Sequence, residues 1–168
     1  MTKLLQFTGF KLCWFGLILI PQIAVWPALV YLLWSIWRLC SNARLAVLGM
    51  SAVGILMDTA LLQGGVFSFI GTDYLPVWLL LLWGCFSLVV VQVLAGWLRH
   101  WWLAAIVGAV TGPLAYWGGA ALGGQLVFAE SLTFLLTLAP CWGLLLALAV
   151  NCRFLWSEDN ASKTIAAH

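Results

Sequence analysis

Residues Val77–Leu98 read VWLLLLWGCFSLVVVQVLAGWL, with no charged side chain along the run. A helix of this composition has no polar face to turn to water. A bilayer crossing takes about 20 apolar residues, and a helix satisfies every backbone N–H and C=O inside the hydrocarbon. Five more apolar segments follow the same rule: Leu4–Ile20, Ile23–Trp37, Leu45–Leu62, Trp101–Leu122 and Leu132–Phe154. Of 168 residues, 65% are hydrophobic and 7% charged, against about 25% charge in soluble domains. The expected fold class is all-α: a polytopic membrane bundle of six transmembrane helices. A β-barrel would need short segments of alternating polarity, which are absent here.

The first two segments are short and meet at Pro21-Gln22, so one long kinked helix is an alternative. The basic residues favour two. Lys and Arg accumulate in cytoplasmic loops, and Arg38, Arg44, Arg99, Arg153 and Lys163 alternate with loops that hold none, Gln63–Pro76 and Gly123–Ser131. Those loops carry Asp73 and Glu130 instead; Glu130 suits the start of a helix, where the macrodipole favours an acid. Two crossings also put Lys3 on the positive side, with both termini cytoplasmic. Residues 1–156 then form one transmembrane domain, and the polar stretch 157–168 a short disordered cytoplasmic tail. Lys11 interrupts what would be the apolar core of a signal peptide, so the first segment is expected to stay, with Lys11 snorkelling to the inner headgroups. Trp34, Trp37, Trp97, Trp101, Trp102 and Trp156 fall near inner ends, and Trp26 and Trp78 near outer ends, as in interfacial belts.

Asp58 is the one acid inside a predicted span. Burying it costs about 2.5–3.5 kcal/mol on insertion scales, so it should face the bundle. Ser51, Gly54, Asp58 and Gly65 lie on one small, polar stripe by helical spacing. At ~1.5 Å per residue, Asp58 sits about 20 Å from the inner boundary. The segment GAVTGPLAYWGGAALGG, from Gly108 to Gly124, places Tyr116 near the same depth and Thr111 about one turn below. Gly108 with Gly112, and Gly119 with Gly123, have the spacing that lets helix backbones approach closely. Pro113 and Pro140 each interrupt a helix near mid-membrane. Asp58, Tyr116, Thr111 and Ser51 are therefore the candidate ligand-binding residues, and Gly54 with the glycines and prolines above shape the packing. A weak internal echo pairs Pro27 and Trp34 with Pro76 and Trp83.

A net charge of +2 without a basic cluster argues against nucleic acid as a partner. The five cysteines form no C-x-x-C pair, and the two histidines no ligand cluster, so neither metal nor cofactor is expected. Nucleotide-binding and hydrolase motifs are absent. Three function classes remain. The first is binding or transport of a small or lipid-like molecule through a polar intramembrane site. The second is a membrane enzyme or accessory subunit in lipid or fatty-acid modification. The third is a non-catalytic assembly partner that docks another membrane protein, or a second copy, through the glycine stripes.

The segments GILMDTALLQGGVFSF, YLPVWLLLLWGCFS and GAVTGPLAYWGGAALG, with Gly112-Pro113-Leu114-Ala115-Tyr116 the most specific block, resemble a family of small bacterial inner-membrane proteins known only as a domain of unknown function. The resemblance covers most of the chain. It implies an inner-membrane location and a neighbourhood of fatty-acid-modifying enzymes, and supplies no activity and no catalytic residues.

Overall fold

A computed structural model describes residues 3–128 and 131–156. The polar tail from residue 157 and Glu130 lie outside the described residues. Six helices follow one another: α1 (Lys3–Leu19), α2 (Pro21–Trp37), α3 (Ser41–Gln63), α4 (Val77–Trp97), α5 (Trp101–Gly123) and α6 (Ser131–Asn151). The last four are long and apolar enough to cross a membrane. The first two have 17 residues each, at the short limit of a crossing, about 17 residues.

The two leading segments are separate helices rather than one kinked rod. Ile20 leaves helical conformation at φ −138° and ψ 59°, and Pro21 opens α2 at a position where its missing N–H costs nothing. The chain then reverses. Gly16 faces Ala24 and Gly9 faces Tyr31, so α1 and α2 run antiparallel from Ile20.

α4 is the central helix, with α1, α2 and α3 packed around it. Its buried residues include Leu79, Trp83, Cys85, Leu88, Val90 and Val93. Residues Val90–Leu94 widen into a π-helical stretch. There the Gln92 side-chain amide meets that of Gln6 on α1, which pairs two polar groups among apolar helices.

α5 and α6 form the tightest pair, and glycine is the reason. A Cβ on Gly108 would overlap the Trp142 carbonyl, and one on Gly112 would overlap the Trp142 side chain. A Cβ on Gly143 would in turn press on the Ala105 carbonyl, at 2.9 Å. Gly123 instead meets the Ile18 backbone on α1, with Gly119 beside the Ile18 side chain. The two glycine pairs of α5 therefore dock two different helices.

The loops at one end build a small cap. α3 stops in a Schellman arrangement: Gly65 takes φ +70°, its N–H donates to the Leu62 carbonyl, and the Val66 N–H donates to that of Leu61. Gly65 therefore terminates the helix and leaves the stripe on which Asp58 lies. Residues Phe67–Phe69 (β1) pair antiparallel with Leu126–Phe128 (β2), Phe67 opposite Phe128 and Phe69 opposite Leu126. At the other end, arginines close helix C-termini, where carbonyls lack partners. Arg44 donates to the Ile36 and Trp37 carbonyls at the end of α2, and Arg153 to those of Ala95 and Arg99 at the end of α4.

Gly49 on α3 has open space where a Cβ would go. Gly112→Leu is therefore expected to lower stability by about 1–3 kcal/mol through overpacking, while Gly49→Leu stays within about 0.5 kcal/mol. Thermal unfolding of the two variants in detergent, followed by size exclusion, compares them.

Candidate functional site

Asp58 sits nearly five turns into α3, where its side chain is fully buried. Two helices supply donors to it. Trp83 on α4 donates its indole N–H to Oδ2 at 2.7 Å. The Tyr116 hydroxyl on α5 lies 2.5 Å from Oδ1 and 2.6 Å from Oδ2. The carboxyl group thereby joins three helices. Gly54, one turn earlier on the same face, makes this possible: a Cβ there would overlap the six-membered ring of Trp83. The indole can lie flat against α3 and aim its N–H at Asp58 only because that position is glycine.

Aromatic rings surround the triad. Trp83 stacks on Trp142 of α6 at 5.1 Å between ring centres. Tyr116 meets Trp142 edge-on at 6.0 Å and Phe67 of β1 at 5.7 Å. Phe67 is almost completely buried, so the cap closes over the tyrosine ring. Trp142 lies near the Tyr116 hydroxyl, but its indole N–H is buried without a hydrogen-bond partner among the described residues.

The other candidates lie apart from the triad. The Ser51 hydroxyl donates to the Val47 carbonyl and that of Thr111 to Val107, each at 2.7 Å. Such bonds four residues back satisfy a hydroxyl within its own helix. Thr111 is exposed. Gly108, Gly112, Gly119 and Gly123 shape helix contacts, as described above. Pro113 is buried, one turn before Tyr116. Pro140 is exposed and borders a shallow groove on the far side of α5 and α6, together with Ala109 and Gly143.

Sequence reasoning missed three participants: Trp83, Trp142 and Phe67. Trp83 entered only through the proline–tryptophan echo. A glycine one turn from a buried acid was the available signal that a large side chain lies against that face. Phe67 carried no signal, because a loop segment of this kind shows its partner only once folded.

A cleft of about 540 Å³ runs beside the triad between α1, α4 and α5. Tyr116, Trp83 and Trp142 form its floor, and Phe10, Trp14 and Leu82 belong to its walls. Asp58 lies behind this floor and reaches the cleft only through Tyr116 and Trp83. α1 and α5 touch where Gly123 and Gly119 meet Ile18 and where Gly118 faces Trp14. Toward the other end the lip residues Lys11, Thr111 and Leu114 are exposed, so the cleft opens sideways. At the cap end, Trp78 donates its indole N–H to the Gln125 side chain at 3.1 Å.

The chain matches a family model described as "Protein of unknown function (DUF2878)" over residues 3–148. It belongs to that family. The matched region contains the whole triad and every wall of the cleft. Comparison with curated proteins and with solved structures yields no match. Among the described residues of this DUF2878 protein, no three His, Cys, Asp or Glu side chains converge as a metal site would require.

The Asp58–Tyr116 contact is expected to contribute about 0.6–1.7 kcal/mol, the range of side-chain hydrogen bonds between membrane helices. A double-mutant cycle of Asp58→Asn and Tyr116→Phe, read by thermal unfolding, should return a coupling energy of about that size. A coupling near zero would show that the two side chains do not depend on one another.

Proposed function

We propose that this DUF2878 protein is a six-span inner-membrane protein that binds a lipid-like molecule in the lateral cleft beside the Asp58–Tyr116–Trp83 triad. The cleft carries this reading: its size lies within the range of small-molecule sites, about 300–1,000 Å³, and its exposed lip between α1 and α5 faces where lipid would be. Its walls are chiefly aromatic and aliphatic. The triad fixes the floor, and the Tyr116 hydroxyl is the polar group there that can orient a ligand. Ser51, inside α3, and Thr111, on the lip, serve this reading only indirectly.

The positive ends of α2 and α4 face the cytoplasm in this proposal, and both termini lie on that side. The bilayer is then the first partner. The shallow groove along Ala109, Pro140 and Gly143 is where a membrane protein partner or a second copy would dock.

A second reading, a membrane enzyme or accessory subunit in lipid modification, draws on one observation. Tyr116 joins the buried acid to the cleft wall, so a proton could pass between Asp58 and a bound molecule through its hydroxyl. Transport and catalysis share this site and differ in what leaves it.

Detergent-solubilised protein is expected to gain thermal stability from members of a lipid panel, by about 2.7 kcal/mol at a hundredfold excess over Kd. Asp58→Asn should reduce that gain while the protein remains abundant; loss of abundance with an unchanged gain would make Asp58 purely structural. For topology, a fluorescent protein fused after His168 should fluoresce, and alkaline phosphatase fused at Asp73 should be active. The reverse pattern would invert the proposed orientation.

A further inference from the structure

Among the described residues, Lys11 is the one charged side chain on the walls of the cleft. It is exposed, and its Nζ stands 5.6 Å from the centre of the Phe7 ring and 5.9 Å from that of Phe10. The side chain therefore leans back toward the start of α1, the direction helical side chains prefer. Phe7 lies only four residues beyond Lys3, a rise of about 6 Å, so the ammonium reaches the level where hydrocarbon meets headgroups. No acid of the described helices competes for it. Asp58 is held by Tyr116 and Trp83, and Asp73 lies in the loop at the capped end.

The cleft is open at this same end. α1 and α5 touch around Trp14 and Ile18 and part toward Lys11 and Thr111, which are both exposed. Beyond Lys11 the walls turn apolar and aromatic as far as Gly123. From Val107 to Gly123 along α5 is about 24 Å, longer than it is wide for a cleft of this volume. Snorkelling alone carries a lysine to the headgroups without selecting among them. Here a cleft mouth lies directly beneath the ammonium.

We infer that the cleft holds one acyl chain of an anionic membrane phospholipid, with the lipid's phosphodiester on Lys11 and its second chain left in the bilayer. The inference rests on the lipid-binding reading above and adds the headgroup class and its anchor. A single ammonium matches the single net negative charge of such a lipid, whereas a zwitterionic phospholipid already neutralises its phosphodiester with a cation of its own. The sideways opening lets the lipid enter without leaving the membrane, and Tyr116 with Trp142 meets the chain at the floor.

Native mass spectrometry of the full chain tests this, with the protein released from nanodiscs of equal phosphatidylglycerol and phosphatidylethanolamine carrying the same chains. The wild type should retain one phosphatidylglycerol about fivefold more than phosphatidylethanolamine, the worth of one lysine near an anionic surface. Lys11→Arg should keep that preference, and Lys11→Gln should lose it while total retained lipid stays unchanged. Ala115→Phe and Leu114→Trp, which fill the cleft, should lose both lipids. A preference that survives in Lys11→Gln, or is absent from the wild type, overturns the inference; the cleft reading then stands if Ala115→Phe still sheds lipid. Unchanged retention in both filling variants overturns the cleft reading as well. Displacement of the phospholipid by equimolar oleate would assign the cleft to a free fatty acid and overturn the phospholipid.

Discussion

A carboxyl group placed among apolar helices must find donors within reach of its own side chain, because neither lipid nor hydrocarbon-facing backbone can supply them. Asp58 finds them on two neighbours, the Trp83 indole and the Tyr116 hydroxyl. That requirement sets how α3, α4 and α5 lie relative to one another. A rotation of any of the three would leave a buried polar group unpaired, at a cost comparable to a substantial part of a domain's net stability. Gly54 belongs to the same constraint, since the indole occupies the volume a larger residue would need.

Around that fixed point the glycines of α5 decide where space remains. Gly108 and Gly112 bring α6 into backbone contact, so the α5–α6 seam is closed. Gly119 and Gly123 bring α1 close only toward the capped end. α1 and α5 therefore part toward the opposite end, and the cleft is the gap they leave. The cap adds the last boundary: the Schellman turn at Gly65 directs β1 inward, and Phe67 covers Tyr116.

This arrangement separates two tasks. The acid is shielded behind Tyr116 and Trp83 and holds the floor in place, while the surfaces open to a ligand are aromatic, with polar groups confined to a few positions. Under the proposed function, such a division would serve recognition of an elongated amphiphile, in which apolar walls provide contact area and few polar groups provide orientation. The π-helical stretch at Val90–Leu94, with its Gln92–Gln6 pair, fixes α1 to α4 at the open end of the cleft, so its mouth rests on a second polar contact.

The sequence alone determined the helical membrane class, because long uncharged runs leave no other stable arrangement for their backbone. It also marked Asp58, an isolated acid in such a run, and singled out Tyr116 by depth, since rise per residue is a property of the helix itself. The segment limits were legible to within a few residues, apart from the start of α3, which begins at Ser41 rather than Leu45. Tertiary structure decided the rest. Trp83 and Trp142 had been indistinguishable from other membrane tryptophans, because helical periodicity fixes a residue's face but not which helix lies opposite. The β1–β2 pairing joins loops about 60 residues apart, and no local pattern announces a partner at that distance. The cleft itself is a property of the gap between α1 and α5, and a gap has no residues of its own to be read.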